Sequence, residues 1–443
     1  MKAFSFFKKK ISTFQIIIAG FAGLAFLGAL LLMLPVSSAD GSVTPFANAL
    51  FTAVSAVCVT GLSVYDTASH WSYFGQAVLL ILIQTGGMGV MTVAVFFVRI
   101  MGKKVSLKQR STLQDALSVP HVGGIVKLAG FIVRCTIVIE LLGAALLAPV
   151  FCRDFGAKGI WMAIFHSVSA FCNAGFDLMG NREAFSSMTT YAAQPLVTIT
   201  LMCLIVTGGI GFLTWDDVRT HKWRLKKYRT QSKVILVTSA VLIAVPAVLF
   251  FLFEYASLPT GERLLAALFQ SITSRTAGFN TMDLNSLSEA GQAIFIIWML
   301  IGGAPGSTAG GMKITTLAVL CATALASFRR DEEVHFFGRR IDDETVKNAV
   351  TILLMYLALF LGGGILLCML EGEPMLTCLF ETASAVGTVG VTLGITPGLR
   401  LASKILIMVL MFFGRVGGLT LMYAALKQDR NVSKLPRDHI TVG

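Results

Sequence analysis

The sequence predicts an all-α integral membrane protein built from four tandem units, each a spanning helix, a short pore helix and a second spanning helix. That layout gives eight transmembrane helices around a pseudo-fourfold pore. Three observations carry the expectation. Of 443 residues, 55% are hydrophobic and 14% charged, against about 25% charged in an ordinary soluble domain, so a soluble globule of this composition could not cover itself with polar surface. Eight apolar runs are long enough to cross a hydrocarbon layer of about 30 Å. Within each consecutive pair of these lies a shorter apolar run, too short to span.

The long runs cover 13–35, 74–98, 128–151, 191–214, 233–255, 292–323, 346–370 and 403–426, the sixth of them interrupted. The short runs cover 46–57, 160–172, 263–274 and 375–386. Lys8, Lys9 and Lys10 before the first run and Ser37-Ser38-Ala39 after it resemble a secretion signal. The apolar stretch from Phe14 to Leu34, however, exceeds the about 7–15 residues of a cleaved signal core, so it is expected to be a mature helix.

The net charge of +12 does not point to nucleic acid, because the basic residues form no face on a folded domain. Of 36 Lys and Arg, 26 lie in five segments: 1–12, 98–127, 214–233, 327–347 and 426–443. These alternate with the eight spans, which places both termini in the cytoplasm and the short runs on the outside. Asp40, Asp66, Asp177, Asp283, Glu371 and Glu373 fall in the opposite segments, where negative charge attracts cations. The eight cysteines lie scattered, without the paired spacing that zinc requires.

A fourfold internal repeat is legible. Phe51, Ser55 and Gly61 recur as Phe165, Ser169 and Gly175, as Phe269, Thr273 and Gly278, and as Phe380, Ser384 and Gly390, the third copy being one residue shorter. The implied units are 1–110 with pore loop 46–62, 111–225 with pore loop 160–176, 226–335 with pore loop 263–279, and 336–443 with pore loop 375–391 and a cytoplasmic tail. Paired glycines also recur at Gly86-Gly87, Gly208-Gly209, Gly302-Gly303 and Gly417-Gly418. They read as small-residue packing sites between helices.

Irregular backbone within a membrane is tolerated where it lines a wet cavity, so four such segments at one depth imply a central aqueous path. A short helix entering from outside aims its carbonyl pole, roughly half a negative charge, into the membrane. The residues after it can turn carbonyl oxygens inward to replace a cation's hydration shell. Glycine at the narrow point adopts positive φ and leaves no side chain in the way.

The segments Val57-Cys58-Val59-Thr60-Gly61, Cys172-Asn173-Ala174-Gly175, Arg275-Thr276-Ala277-Gly278 and Gly387-Thr388-Val389-Gly390 resemble the filters of the Trk/Ktr/HKT superfamily of cation transporters, and the likeness runs along essentially the whole chain. With eight spans and no additional N-terminal pair, the chain looks most like the membrane subunits of Ktr systems. The resemblance implies potassium uptake across the plasma membrane, with K⁺ as the transported ion held by backbone carbonyls. It also implies a homodimer docked on a cytosolic ring of nucleotide-binding RCK subunits of the KtrA type. A sodium-permeable or Na⁺/H⁺-coupled transporter of the same superfamily is the alternative.

The sixth run is broken by Gly302, Gly303, Pro305, Gly306, Gly310 and Gly311, which no regular helix accommodates without losing backbone hydrogen bonds. An intramembrane loop is expected. Lys313 lacks the phosphate-loop spacing and no strand precedes it, so no nucleotide site is read in this chain. The resemblance implies that the loop is a mobile gate, with Ser307 and Thr308 hydroxyls lining the path. Arg415 in the last run must face the bundle interior or water. It is read as tied to loop carbonyls or to a carboxylate, and the resemblance implies an electrostatic barrier below the filter that cooperates with the loop; the two roles are compatible. Arg275 reads as a brace for the filter, and Gln84, Arg134 and Glu140 as contacts between helices. No motif of an intramembrane enzyme is found, and the four units are parallel, unlike the inverted repeats common in alternating-access carriers.

Overall fold

The computed structural model describes residues 12–101, 104–117, 123–181, 183–418 and 420. The Lys8–Lys10 cluster and the basic tail from 426 onwards lie outside them. Among the described residues the structure is helices joined by loops, apart from a hairpin that pairs β1 (His335–Phe336) with β2 (Arg339–Arg340).

A long helix, a short helix and one or more further helices follow one another four times along the described residues. The first set reads α1 (Thr13–Leu32), α2 (Phe46–Val57), then α3 (Thr67–His70), α4 (Tyr73–Met88), α5 (Val90–Ile100) and α6 (Leu107–Leu117). Next come α7 (Ile125–Phe155), α8 (Lys158–Phe171), α9 (Pro195–Gly209) and α10 (Phe212–His221). The third set is α11 (Thr230–Leu249), α12 (Thr260–Thr273), α13 (Glu289–Met299) and α14 (Ile314–Arg329). The last is α15 (Asp343–Glu371), α16 (Met375–Gly387) and α17 (Leu401–Val416).

Local chemistry sets the ends. Pro45, Pro259 and Pro374 stand immediately before α2, α12 and α16, where the fixed φ of proline leads the chain into a helix and its missing N–H costs nothing. Ser72 and Ser288 cap α4 and α13 through the N–H groups of Gly75 and Gly291, satisfying donors that a helix start leaves free.

α1, α7, α11 and α15 are each long and apolar enough to cross a membrane. Their outward faces carry Leu27, Leu30, Leu141, Leu142, Val241, Val248, Leu354 and Leu361, all exposed. Such a belt is stable against hydrocarbon and not against water. The short helices show the reverse: α2, α8, α12 and α16 are buried on nearly every side over their C-terminal halves, as helices at the centre of a bundle must be.

Packing closes these helices into a ring. α4 packs on α8, α9 on α12, α13 on α16, and α17 on α2. Each second helix therefore supports the short helix of the next set, and the last supports the first.

The expected straight spans 74–98 and 191–214 are not straight. α4 and α5 meet at 99°, and α9 and α10 at 96°. The turns are made by Gly89 (φ 84°, ψ 129°) and Gly211 (φ 88°, ψ 142°), and Gly417 ends α17 in the same conformation (φ 86°, ψ 132°). A side chain rarely adopts that backbone. The paired-glycine reading is therefore corrected in part. Gly86 and Gly208 do pack closely, against the carbonyls of Val57 and Phe171, but Gly417 matches Gly89 and Gly211 as a breaker, not Gly86 as a packing residue.

Candidate ion-conduction site

Each short helix runs straight into a segment of unusual backbone. Val59, Asn173, Thr276 and Thr388 have positive φ of 56°, 58°, 69° and 53°, and two residues later Gly61, Gly175, Gly278 and Gly390 have 94°, 67°, 85° and 97°. Four non-glycine residues in this sparsely populated region, at matching places, mark backbone strain that the surroundings enforce.

The four segments converge on one another. A Cβ placed on Gly61 would lie 2.5 Å from the carbonyl oxygen of Ala174. One on Gly175 would lie 2.7 Å from Gly278 Cα, and one on Gly278 2.6 Å from the carbonyl oxygen of Val389. One on Gly390 would strike the carbonyl of Thr60, with Gly61 Cα 3.0 Å away. The contacts run 61, 175, 278, 390 and back to 61, so the glycines enclose a single axis walled by main-chain carbonyls.

The hydroxyl residue four positions after each repeated phenylalanine holds its segment. Ser55 and Ser384 accept the N–H groups of Gly61 (3.1 Å) and Gly390 (3.0 Å). Ser169 donates to the Phe176 carbonyl at 2.7 Å, and Thr273 donates to that of Phe279. The backbone carbonyls of Ser55, Ser169 and Ser384 also accept the N–H groups of Thr60, Ala174 and Val389, each at 2.8 Å. These four residues belong to the repeated pattern, but their positioning role emerges from the hydrogen bonds; their fixed offset from the glycine was the available signal.

A cavity of about 170 Å³ lies on one side of the glycines, lined by Gly61, Gly175, Gly278 and Gly390 with Asp66, Asp177 and Asn280. Desolvation beside this vestibule pushes the Asp177 carboxyl up to about 7; the Met179 N–H it accepts opposes the rise and the Asp66 carboxylate adds to it. A second cavity, of about 250 Å³, is lined by Gly306, Ser307, Lys313, Arg415, Gly87 and Asp115, among others.

The segment 302–313 between α13 and α14 is an irregular loop packed within the helical bundle. It is threaded through the neighbouring helices by main-chain bonds: Ala304 N–H to the Gly209 carbonyl (2.9 Å), Phe212 N–H to that of Gly306 (2.8 Å), and Gly311 N–H to that of Gly414 (3.1 Å). Gly310 presses against the Thr388 side chain, and Gly302 against the Gly310 carbonyl, so the loop lies directly against the fourth glycine segment. Arg415 donates to the carbonyls of Thr308 and Gly86, and to that of Gly87 at 2.9 Å. It thus ties the loop to the end of α4. Lys313 turns back on the loop, donating to the Ala309 carbonyl at 2.7 Å.

Two expected side-chain placements change, those of Thr308 and Arg134. Thr308 is fully buried and its hydroxyl donates to the Phe171 carbonyl at 3.0 Å, so of the two loop hydroxyl residues only Ser307 borders the cavity. Arg275 points away from the axis, its guanidinium 3.5 Å from the carbonyl and hydroxyl oxygens of Ser239 on α11. Gln84 and Glu140 do meet across helices at 3.1 Å, whereas Arg134 bonds the Gly130 carbonyl of its own helix. Sequence spacing cannot choose between these partners, because each choice depends on which helix face is already occupied.

Four glycine segments meeting main chain to main chain at the centre of a helical bundle, beside a cavity lined by Asp66 and Asp177, are an arrangement suited to a membrane transporter of cations. The family model described as TrkH, cation transport protein, matches residues 8–434, and the chain belongs to this family of Trk and Ktr transporters. It is 39% identical to the potassium/sodium uptake protein NtpJ of Enterococcus hirae, over 98% of both chains. It is 37% identical to the Ktr system potassium uptake protein B of Bacillus subtilis, over 97% of this chain and 96% of that one. The crystal structure of the potassium transporter TrkH from Vibrio parahaemolyticus superposes with a TM-score of 0.73 at 20% identity, covering 94% of this chain and 85% of that one. At that identity the match speaks for the fold.

Proposed function

We propose that this chain is the ion-translocating subunit of a Ktr-type potassium uptake system in the plasma membrane. The observation that carries the reading is the closed ring of four positive-φ glycines beside a cavity that all four of them line. Carbonyls at the ends of four short helices replace water around a dehydrated K⁺, and the helix poles add negative potential at the same place. The vestibule with Asp66 and Asp177 faces outside, and the cavity beside Arg415 and Lys313 faces the cytoplasm with both termini, in keeping with the lysine and arginine distribution.

In this reading the units 1–110, 111–225, 226–335 and 336–443 are tandem repeats. Val57 to Gly61, Cys172 to Gly175, Thr276 to Gly278 and Gly387 to Gly390 form the filter, and Arg275 braces it from behind. Gly302 to Lys313 and Arg415 form the gate. The chain works as a homodimer with a cytosolic RCK ring; the relatives named as Ktr system proteins support only that it acts within a system of partner subunits. The membrane potential supplies about 2.3 kcal/mol per charge per 100 mV for uptake.

The test is uptake of K⁺ and Na⁺ in cells without their own K⁺ importers. The chain should restore growth on low K⁺, and Gly278→Ser should erode the K⁺ preference. Failure to restore growth, or an unaltered ion ratio in the variant, would refute the assignment. A second reading, substantial Na⁺ permeation, is favoured by the name of the potassium/sodium uptake relative and predicts Na⁺ uptake without K⁺.

A further inference from the structure

Beyond each filter glycine the chain needs an anchor. In the second and fourth segments it comes from the segment's own short helix, at the residue after the repeated phenylalanine. His166, fully buried on α8, accepts the Leu178 N–H at Nε2 (3.1 Å) while Nδ1 donates to the Met162 carbonyl (2.7 Å). Glu381, buried on α16, accepts the hydroxyls of Thr392 (2.7 Å) and Thr396.

The same position gives no anchor in the other two segments. Thr52 donates within its own helix to the Asn48 carbonyl at 2.9 Å. The Gln270 amide is fully buried and finds no hydrogen-bond partner among the described residues. The third segment, moreover, is one residue shorter between Thr273 and Gly278 than its counterparts.

Residues 183–192, which connect the second filter segment to α9, reach both. The Phe185 N–H donates to Asp66 Oδ2 at 3.0 Å, five residues past Gly61. The other Asp66 oxygen accepts the N–H groups of Ala68 (3.1 Å) and Ser69 (2.9 Å) and the Ser69 hydroxyl (2.9 Å). Two residues past Gly278, the Asn280 N–H donates to the Ser187 hydroxyl at 3.1 Å and its carbonyl accepts the Met188 N–H at 2.9 Å. Phe185 and Ser187 hold positive φ of 59° and 50°, a strained backbone for non-glycine residues that packing must maintain. Both line the vestibule with the four glycines.

We propose that the strap 183–192 is a specificity-determining element of ion selection, with Asp66 and Ser187 as its positioning residues. It holds the outer ends of the first and third filter segments, which face each other across the axis, in register with the second and fourth, which His166 and Glu381 fix. The inference rests on the filter reading above.

The test uses the full chain in proteoliposomes and reads the K⁺ to Na⁺ uptake ratio from Rb⁺ tracer competition, normalised to folded protein. Ser187→Ala removes one hydrogen bond and should lower the ratio about three- to tenfold, the range a single net hydrogen bond supports. Ser187→Thr keeps the hydroxyl and should retain the ratio. Asp66→Asn weakens the other attachment and should lower the ratio too, which keeps the test decisive if one variant folds poorly. A purely structural tether would reduce all fluxes together and leave the ratio unmoved. If both variants keep the wild-type ratio while Gly278→Ser lowers it, the strap inference is overturned and the filter stands. If Gly278→Ser also leaves the ratio unchanged, the filter reading fails and takes the strap with it.

Discussion

One added methyl group at Gly61 would test the carbonyl ring most directly. Gly61 has φ of 94°, and holding an alanine in left-handed backbone costs about 1–2 kcal/mol. The new Cβ would stand 2.5 Å from the Ala174 carbonyl oxygen, whereas ordinary contact begins at 3.4 Å. Both partners are main chain, so neither can swing aside; one segment must retreat by the difference, about 0.9 Å, whereas a binding site tolerates about 0.5 Å. Misplacement by about 1 Å costs up to about 100-fold in a preorganised site. Gly61→Ala should therefore lower the K⁺ over Na⁺ preference about 10- to 100-fold, or about 1.4–2.8 kcal/mol of discrimination. Rb⁺ tracer uptake against competing Na⁺, in liposomes holding purified protein of verified monodispersity, reads this directly. A folded variant with the wild-type ratio would mean that the Gly61 carbonyl ring does not select the ion.

Further outcomes follow from the same geometry. Arg415→Gln loses charge-assisted bonds to the carbonyls of Thr308, Gly86 and Gly87, each worth about 1.5–3 kcal/mol. The loop should loosen and tracer flux rise severalfold, and unchanged flux and gating would remove Arg415 from the gate. Ser384→Ala deprives the Gly390 N–H of its 3.0 Å acceptor at about 1 kcal/mol; it should lower ion preference severalfold in the same competition assay, with little change in thermal stability. Because Asp177 titrates near 7, its carboxylate is charged above that pH and neutral below it. External acidification through this range should reduce K⁺ uptake, and Asp177→Asn should flatten the profile; an identical profile in the variant would exclude Asp177 as the vestibule charge.

Much of the architecture is written locally. Hydrophobic run length marks the long helices, and proline at 45, 259 and 374 marks where three short ones begin. The recurrence of phenylalanine, a hydroxyl residue and glycine foretells four matched segments, because positive φ is a property of one residue and its immediate neighbours. The bends at Gly89 and Gly211 were hidden, since a glycine within an apolar run reads equally as close packing or as a breaker. The fourth pair was hidden for the same reason: Gly414 packs against the Val386 carbonyl as Gly86 does against that of Val57, and Gly417 breaks the helix.

Alone, the sequence determined that this is a multi-pass helical protein with four matched glycine-bearing segments and an interrupted sixth apolar run. Tertiary structure alone decided that the segments close around a single axis, that Arg415 binds the carbonyls of Thr308 and Gly87, and that Phe185 and Ser187 reach the first and third segments. The reason is physical: run length and backbone sign are local quantities, whereas a hydrogen bond between residues more than 90 positions apart exists only after packing has brought two unrelated stretches face to face.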